Sequence, residues 1–337
     1  MSPLLAGIVA FLAAVLVTPL VRSAARRWGV LDRPNERSSH TGVVPRAGGV
    51  AILVAVGLAL AVARGPWWPR PAAVALLAGA LVLAAVGLAD DRFGLPPAVR
   101  LAAHIAVAIG FVSVAGALDR VPLPAPLDME LHALGPALSV LWIVAVVNFY
   151  NFMDGIDGLA SLQAAVTGVG IAIAAPDPFA SFLGAALAGA AAGFLFFNWS
   201  PASIFLGDVG SGAMGFTLAA LPFLATPDAR PPMVLFVAVS LWFFLADATF
   251  TLLRRMARGA RLHQAHREHL YQRLVSTGWS HARVAGGMGV AAAALTAAGV
   301  VALRSSHPAA PWVPVLLAAA LFAAEIGLVA RREKRQA

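Results

Sequence analysis

Long apolar windows separated by short polar loops run the length of the chain. A helix that crosses a bilayer needs about 17–25 apolar residues. Eleven windows meet that length: residues 3–23, 47–63, 73–89, 99–118, 136–152, 158–175, 180–197, 210–226, 233–253, 282–303 and 311–330. The pattern predicts an all-α polytopic membrane protein of about eleven transmembrane helices. Residues 1–337 read as a single integral-membrane domain, without a soluble domain, low-complexity tail or repeat. An odd number of spans puts the two termini on opposite sides.

Composition supports the pattern. The chain is 60% hydrophobic and 12% charged, with mean hydropathy +0.82, where a soluble domain carries about 25% charged residues. Cysteine is absent, which excludes disulfide and thiolate chemistry. Basic residues number 24 against 16 acidic ones. In a polytopic membrane protein such an excess follows inside-facing loops and anionic lipid rather than nucleic acid. The first basic residue, Arg22, comes after the first apolar span. That order suits a first helix with its N-terminus outside and not a cleaved signal peptide. With this orientation 19 of the 24 basic residues fall inside, and only Arg64, Arg70, Arg120, Arg230 and Arg304 fall outside. The expected topology therefore has an outside N-terminus and a cytoplasmic C-terminus.

That topology sorts the acids. Asp90, Asp91, Asp154, Asp157, Asp208 and Glu268 all reach the cytoplasmic face, with Asp247 just inside it. The densest polar stretch is Asn148-Phe149-Tyr150-Asn151-Phe152-Met153-Asp154-Gly155-Ile156-Asp157-Gly158-Leu159, at the mouth of an apolar run. Polar side chains there are costly in hydrocarbon and mark a functional site. Asn148 and Asn151, like Asp154 and Asp157, are three apart, which predicts adjoining positions on one helix face. Gly155 and Gly158 would let a ligand or metal approach the backbone. The plainer expectation is a capping box, with Asp154 as the N-cap of the next helix.

Four further loops carry candidate chemistry. Asp90-Asp91-Arg92 ends the third span, and paired carboxylates resist ionising together without a nearby cation, which suits a divalent metal or a proton acceptor. Asn198-Trp199-Ser200-Pro201 precedes Gly207-Asp208-Val209-Gly210-Ser211, a glycine-flanked turn into a helix N-terminus. Free N–H groups at such a place bind anions. Asp208 would repel phosphate there unless it held a metal, and Mg²⁺ binds through one or two carboxylates plus substrate phosphates. Asp247 lies on an apolar helix, Val234 to Leu253, and reads either as a structural partner of Arg254 or Arg255 or as a functional acid within the bundle. The loop Arg254–Ser280 holds His263, His266, Arg267, His269, Tyr271 and Arg273, which suits phosphate oxygens or a basic surface on anionic headgroups. The loop from Asp32 through Thr41 to Gly49 reads as a linker or a cover over a site.

Taken together and in order, these pieces resemble the polyprenyl-phosphate N-acetylhexosamine-1-phosphate transferases, membrane enzymes that start O-antigen, teichoic acid and related cell-envelope glycans. The resemblance runs from Asp32 to Arg273. It implies that polyprenyl phosphate attacks the β-phosphorus of a UDP-HexNAc donor and releases UMP, with Mg²⁺ (or Mn²⁺) as cofactor. It implies undecaprenyl phosphate as acceptor and a bacterial inner membrane location with a cytoplasmic active site. A homodimer is one assembly compatible with it. By position it assigns Asp208 and Asn151 to the metal and Asp90, with Asp91 beside it, to proton removal from the lipid phosphate. Asp154 and Asp157, with Asn148 and Asn198, fall to the nucleotide sugar. His266, Arg267 and His269 fall to the diphosphate clamp, and Arg100 to the phosphates. The peptidoglycan phospho-MurNAc-pentapeptide translocase, a relative, has three consecutive histidines in the late loop, where this chain has His266-Arg267-Glu268-His269. A transporter is the alternative from a different class, but transporters hold their sites near the midplane.

Overall fold

A computed structural model describes residues 1–32, 42–63, 70–260 and 266–336. Most of the loop expected between Asp32 and Thr41, and His263 in the late loop, lie outside the described residues. Each of the eleven apolar windows contains helix. Seven helices are long and apolar enough to cross a membrane by themselves. They are α1 (Pro3–Arg27), α3 (Pro71–Phe93), α4 (Pro97–Ala115), α5 (Gly135–Met153), α7 (Pro178–Asn198), α12 (His281–Arg304) and α13 (Trp312–Lys334). Three apolar helices are shorter: α2 (Gly49–Val62), α6 (Leu159–Ala174) and α8 (Asp208–Ala220). A short α11 (Leu270–Ser276) and a two-residue antiparallel pair, β1 (Leu31–Asp32) and β2 (Val44–Pro45), complete the set used below.

The ninth window departs from expectation. In place of one helix from Val234 to Leu253 there are two, α9 (Arg230–Ser240) and α10 (Trp242–Ala257), bent by 74°. Within an apolar bundle a break is tolerated only where the freed backbone finds a partner. The Gln163 side chain of α6 supplies one, donating to the Ser240 carbonyl at 2.8 Å.

Helix α8 is the centre of the bundle: every residue from Val209 to Ala220 is buried. At thirteen residues it spans about 20 Å at 1.5 Å per residue, too short to cross a bilayer. Its neighbours approach at backbone distance. A Cβ on Gly87 of α3 would lie 2.3 Å from the Asp208 carbonyl oxygen, and one on Gly49 of α2 would lie 2.2 Å from the Gly210 Cα. Apolar side chains cannot drive helices together in lipid, so small residues that permit close contact take over. Helix α1 shows the same logic, burying Ala6, Ala10 and Ala14 while exposing Leu4, Leu12, Leu16 and Leu20.

Charged ties mark the two ends of the bundle. At one end Arg70 holds Asp177 through two bonds of 2.7 and 2.9 Å, and Arg230 donates to the Ala117 and Ala115 carbonyls at the finish of α4. At the other end, by the first turn of α4, sit Arg100 and the acids it binds. The acids thus gather at one end, as the sorting of loops predicted. The close α3–α8 approach is testable by thermal unfolding of the purified protein in detergent. Gly87→Ala should lower stability by about 1–3 kcal/mol, the usual cost of overpacking. Gly57→Ala, with nothing within 4 Å of the new methyl group, should not. Equal Tm values for the two variants would contradict the packing.

Candidate active site

The site is built around the turn that starts α8. Its scaffold is the strand-like pairing of segment 45–49 with residues 205–206: Phe205 N–H donates to the Pro45 carbonyl at 2.8 Å, Gly48 N–H to Phe205 at 2.9 Å and Gly49 N–H to Leu206 at 2.8 Å. The stretch Pro45–Gly49 is therefore a support for the turn rather than a linker. Asn198 braces the same loop from behind. Its Oδ1 accepts from Ser161 at 2.8 Å, its Nδ2 donates to the Ile204 carbonyl at 3.1 Å, and it is 4% exposed. Both ends of that amide are occupied inside the protein, which removes Asn198 from the substrate-binding set expected from sequence.

Asp91 has a similar fate. Its carboxylate accepts the Asp208 and Val209 N–H groups at 3.0 and 3.2 Å, and Arg46 lies 3.5 Å away. A carboxylate at a helix N-terminus is favoured by the helix dipole and by the unpaired amides. The anion that the turn was expected to bind is thus Asp91 itself, and its fully buried side chain orients Asp208 rather than touching substrate. Arg46 was not singled out from sequence. Burial works against its charge, but Asp91, Asp208, Asp32 and Asp154 together hold its pKa above the usual arginine value.

Asp90 and Asp208 share one cation. Arg100 donates to Asp90 at 2.6 Å and to Asp208 at 3.2 Å, and the second oxygen of Asp90 accepts the Leu95 N–H at 2.6 Å. Asn151 donates from Nδ2 to Asp208 at 2.7 Å and to Ser211 at 2.8 Å. Burial, with Asp90 and Asp91 adding to it, pushes the Asp208 carboxyl up to about 7. Among the described residues no three His, Asp or Glu side chains form a ready-made metal cage. A carboxylate held beside an amide, with excess negative charge around it, fits an ion such as Mg²⁺ that takes one or two protein oxygens and completes its shell with water and phosphate.

Asp154 and Asp157 do not lie on a helix. Helix α5 ends at Met153, Asp154 is its C-cap, and α6 begins after Gly158, whose φ is +78°. The two carboxylates occupy the turn between helices, and the capping box is absent because Gly158, not Asp154, caps α6. Gly155 serves packing rather than ligand access: a Cβ there would sit 2.0 Å from the Tyr271 hydroxyl, which donates to the Phe152 carbonyl at 3.0 Å. Burial pushes the Asp154 carboxyl well above the usual range, Asp208, Asp91 and Asp157 add to the rise, and Arg46 opposes it. Burial also works against the Asp157 carboxylate, but His281 and the Ala202 N–H outweigh it and hold Asp157 below the usual range. His281 opens α12, far along the chain, and nothing in the sequence marked it.

A cavity of about 580 Å³ opens beside this cluster. Its polar lining includes Arg100, His104, Asn148, Asn151, Asp208, His266, His269 and Gln272, and its apolar lining includes Leu83, Val86, Leu101 and Leu252. His104 was missed in the sequence, although it falls four residues after Arg100 on the same helix face. Asn148 donates to the Val144 carbonyl at 2.7 Å. In the late loop His266 and His269 line the cavity while Arg267 is exposed. Burial, then His269 and Arg255, push the His266 imidazole down to about 4. Its Nδ1 accepts the Glu268 N–H at 3.3 Å, so the neutral ring carries its proton on Nε2. Asp247 does not pair with Arg254 or Arg255. Arg255 forms its ion pair with Glu268, and Asp247 receives His269 and the start of α11.

The family model described as glycosyl transferase family 4 matches residues 73–226, which hold the site residues from Asp90 to Asp208. The chain is 30% identical over 281 residues to the probable undecaprenyl-phosphate N-acetylglucosaminyl 1-phosphate transferase of Bacillus subtilis (strain 168), covering 82% of this chain and 78% of that one. It is 32% identical over 317 residues to the decaprenyl-phosphate N-acetylglucosaminephosphotransferase of Mycobacterium leprae (strain TN), covering 83% and 78%. It is 28% identical over 322 residues to the undecaprenyl-phosphate alpha-N-acetylglucosaminyl 1-phosphate transferase of Escherichia coli (strain K12), covering 91% and 85%. With one relative at 30% identity matched over more than three quarters of its length, the chain belongs to glycosyl transferase family 4, among the polyprenyl-phosphate N-acetylhexosamine-1-phosphate transferases.

Proposed function

We propose that this protein transfers an N-acetylhexosamine 1-phosphate from a UDP-sugar to polyprenyl phosphate, releasing UMP and leaving the sugar on a lipid diphosphate. The observation that carries the reading is Arg100, a cation that bridges Asp90 and Asp208 in the wall of a cavity lined by both polar and apolar residues. A lipid phosphate needs such a place: hydrocarbon on one side, donors for its oxygens on the other. The relatives' names make N-acetylglucosamine the first donor to test. The product would start a cell-envelope glycan, O-antigen among the candidates. The arginine distribution supports a site on the cytoplasmic face of the bacterial inner membrane.

Both substrates are anionic, so catalysis is mostly charge stabilisation and positioning. Arg100 is placed to leave Asp90 for the incoming lipid phosphate. That exchange would free Asp90 to accept the phosphate proton as the phosphate oxygen attacks the β-phosphorus. His266, neutral and with its Nε2–H available, can donate to a diphosphate oxygen without adding charge. Asp154, whose side chain has no hydrogen-bond partner among the described residues, lies close enough to Asp208 to add to the negative charge that a metal would offset. Mg²⁺ would be held by Asp208 and by Asn151 turned to present Oδ1; when bound, it would offset the negative charge of the diphosphate and the departing UMP.

Membranes carrying the protein should release UMP from at least one member of a UDP-HexNAc panel only when undecaprenyl phosphate is added; no acceptor-dependent UMP from any donor would falsify the transferase reading. Protons and metal compete for the Asp208 carboxylate. Because its carboxyl is raised to about 7, the Mg²⁺ concentration for half-maximal rate should rise about tenfold per pH unit below about 7 and level off above it. A half-saturation that stays flat through this range would remove Asp208 as a ligand. Asp90→Asn should lower kcat strongly and keep donor KM. Its defect should shrink at alkaline pH, where the lipid phosphate, with a second pKa of about 6, is already a dianion. Equal impairment from acid to alkaline pH would exclude Asp90 as the base.

A further inference from the structure

Asp247 is fully buried on α10, and four donors converge on its carboxylate. Thr251 Oγ1 donates to Oδ1 at 3.0 Å, Leu270 N–H to Oδ1 at 2.9 Å and Tyr271 N–H to Oδ2 at 3.2 Å, and His269 Nδ1 lies 3.3 Å from Oδ1. Thr251 and the two amides all use this carboxylate as an acceptor. A ring nitrogen facing an acceptor oxygen is best placed to donate, which assigns the proton of the His269 ring to Nδ1. His269 lines the same cavity as Arg100 and Asp208. With Nδ1 committed, Nε2 is the only ring nitrogen left for a ligand.

The remaining neighbours hold the ring in this orientation. The His269 centroid lies 5.1 Å from that of His266, 5.7 Å from that of Tyr271 in a stacked arrangement, and 6.4 Å from that of Phe152. The charged groups around it are Arg255 of α10 with its partner Glu268 on the late loop, Arg100 and Asp208 across the cavity, and the buried Glu325 of α13. Asp247 is the acid bonded to the ring. A buried carboxylate behind an imidazole fixes its tautomer and its orientation.

We propose that Asp247 is a positioning residue for the transfer: it holds His269 through Nδ1–H and so aims Nε2 into the cavity where the phosphates bind. The proposal rests on the transferase reading. It also explains why a short helix, α11, starts where it does: the carboxylate that orients His269 also caps the first two amides after it.

The rival explanation is that Asp247 only caps α11, and the two make different predictions. Asparagine is as good a helix cap as aspartate, so Asp247→Asn keeps the cap but removes the charge behind the ring. With the full-length enzyme in detergent and both substrates saturating, Asp247→Asn should lower kcat on the order of 10- to 100-fold, as loss of a partner behind a functional histidine does. Donor KM should be nearly unchanged. His269→Gln should cost a similar factor, and the double variant should be no slower than His269→Gln alone. Nitrogen NMR of histidine-labelled protein gives a readout apart from activity. It should show a ring protonated at Nδ1, assigned by its loss in His269→Gln, and lose that signature in Asp247→Asn. Multiplying defects in the double variant, or an unchanged ring signature in Asp247→Asn, would overturn the proposal. If the wild-type protein turns over no donor, the transferase reading fails, and the ring signature still decides whether Asp247 sets the tautomer. Should Asp247→Asn not fold, His269→Gln decides: an unchanged kcat in that variant overturns the role assigned to the ring.

Discussion

Negative charge held at the end of an apolar bundle is the constraint on which the rest of the structure depends. Asp90, Asp91, Asp154, Asp157 and Asp208 come from three separate stretches and meet at one mouth, where their repulsion opposes folding. Each of four is set against a specific donor: Asp90 against Arg100, Asp91 against the first amides of α8, Asp157 against His281 and Asp208 against Asn151. Breaking any one of these leaves a buried charge without compensation, which costs far more than a surface ion pair yields. The pairings also divide the labour. Asp91, held by two amides of the α8 terminus, serves as a brace, whereas Asp90 and Asp208 share the Arg100 guanidinium beside the cavity.

That division changes the meaning of the Asp90–Asp91 pair. The two are adjacent, yet a helix end sends their side chains in different directions. Asp91 turns inward to the helix α8 terminus, and Asp90 turns toward Arg100 and the Leu95 amide. A carboxylate doublet in sequence therefore becomes one structural and one chemical group. The same separation recurs at the late loop, where His266 and His269 line the cavity and Arg267 is exposed.

Helix α8 makes these placements accurate. It is buried along its length, carries the Asp208 turn at its start, and is approached at backbone distance by α2 and α3. Because those approaches leave no room for a side chain, the position of Asp208 relative to Asp90 and Asp91 is fixed by packing rather than by loop conformation. A site held on packed helices keeps its geometry better than one held on loops. The break between α9 and α10 belongs to the same design. A straight helix would have carried Asp247 along the bundle axis, whereas the bent one brings it beneath His269 and the start of α11.

The sequence alone determined the class of the protein and the end of the bundle at which its acids gather. Hydrophobic length fixed where helices form, because only a helix satisfies its own backbone in hydrocarbon. The cost of burying charge made every acid near a helix end conspicuous. What it could not decide was which partner each acid takes, since those partners lie far off in the chain: His281 for Asp157, Arg46 and the α8 amides for Asp91, His269 for Asp247. Local spacing suggested that Asp154 and Asp157 share a helix face and that Asn198 binds substrate. Tertiary packing overruled both, because the helix stops at Met153 and because Ser161 and the Ile204 carbonyl occupy both ends of the Asn198 amide. Spacing along a chain reports which side chains can be neighbours within one helix; which side chains neutralise one another across helices depends on how the helices pack.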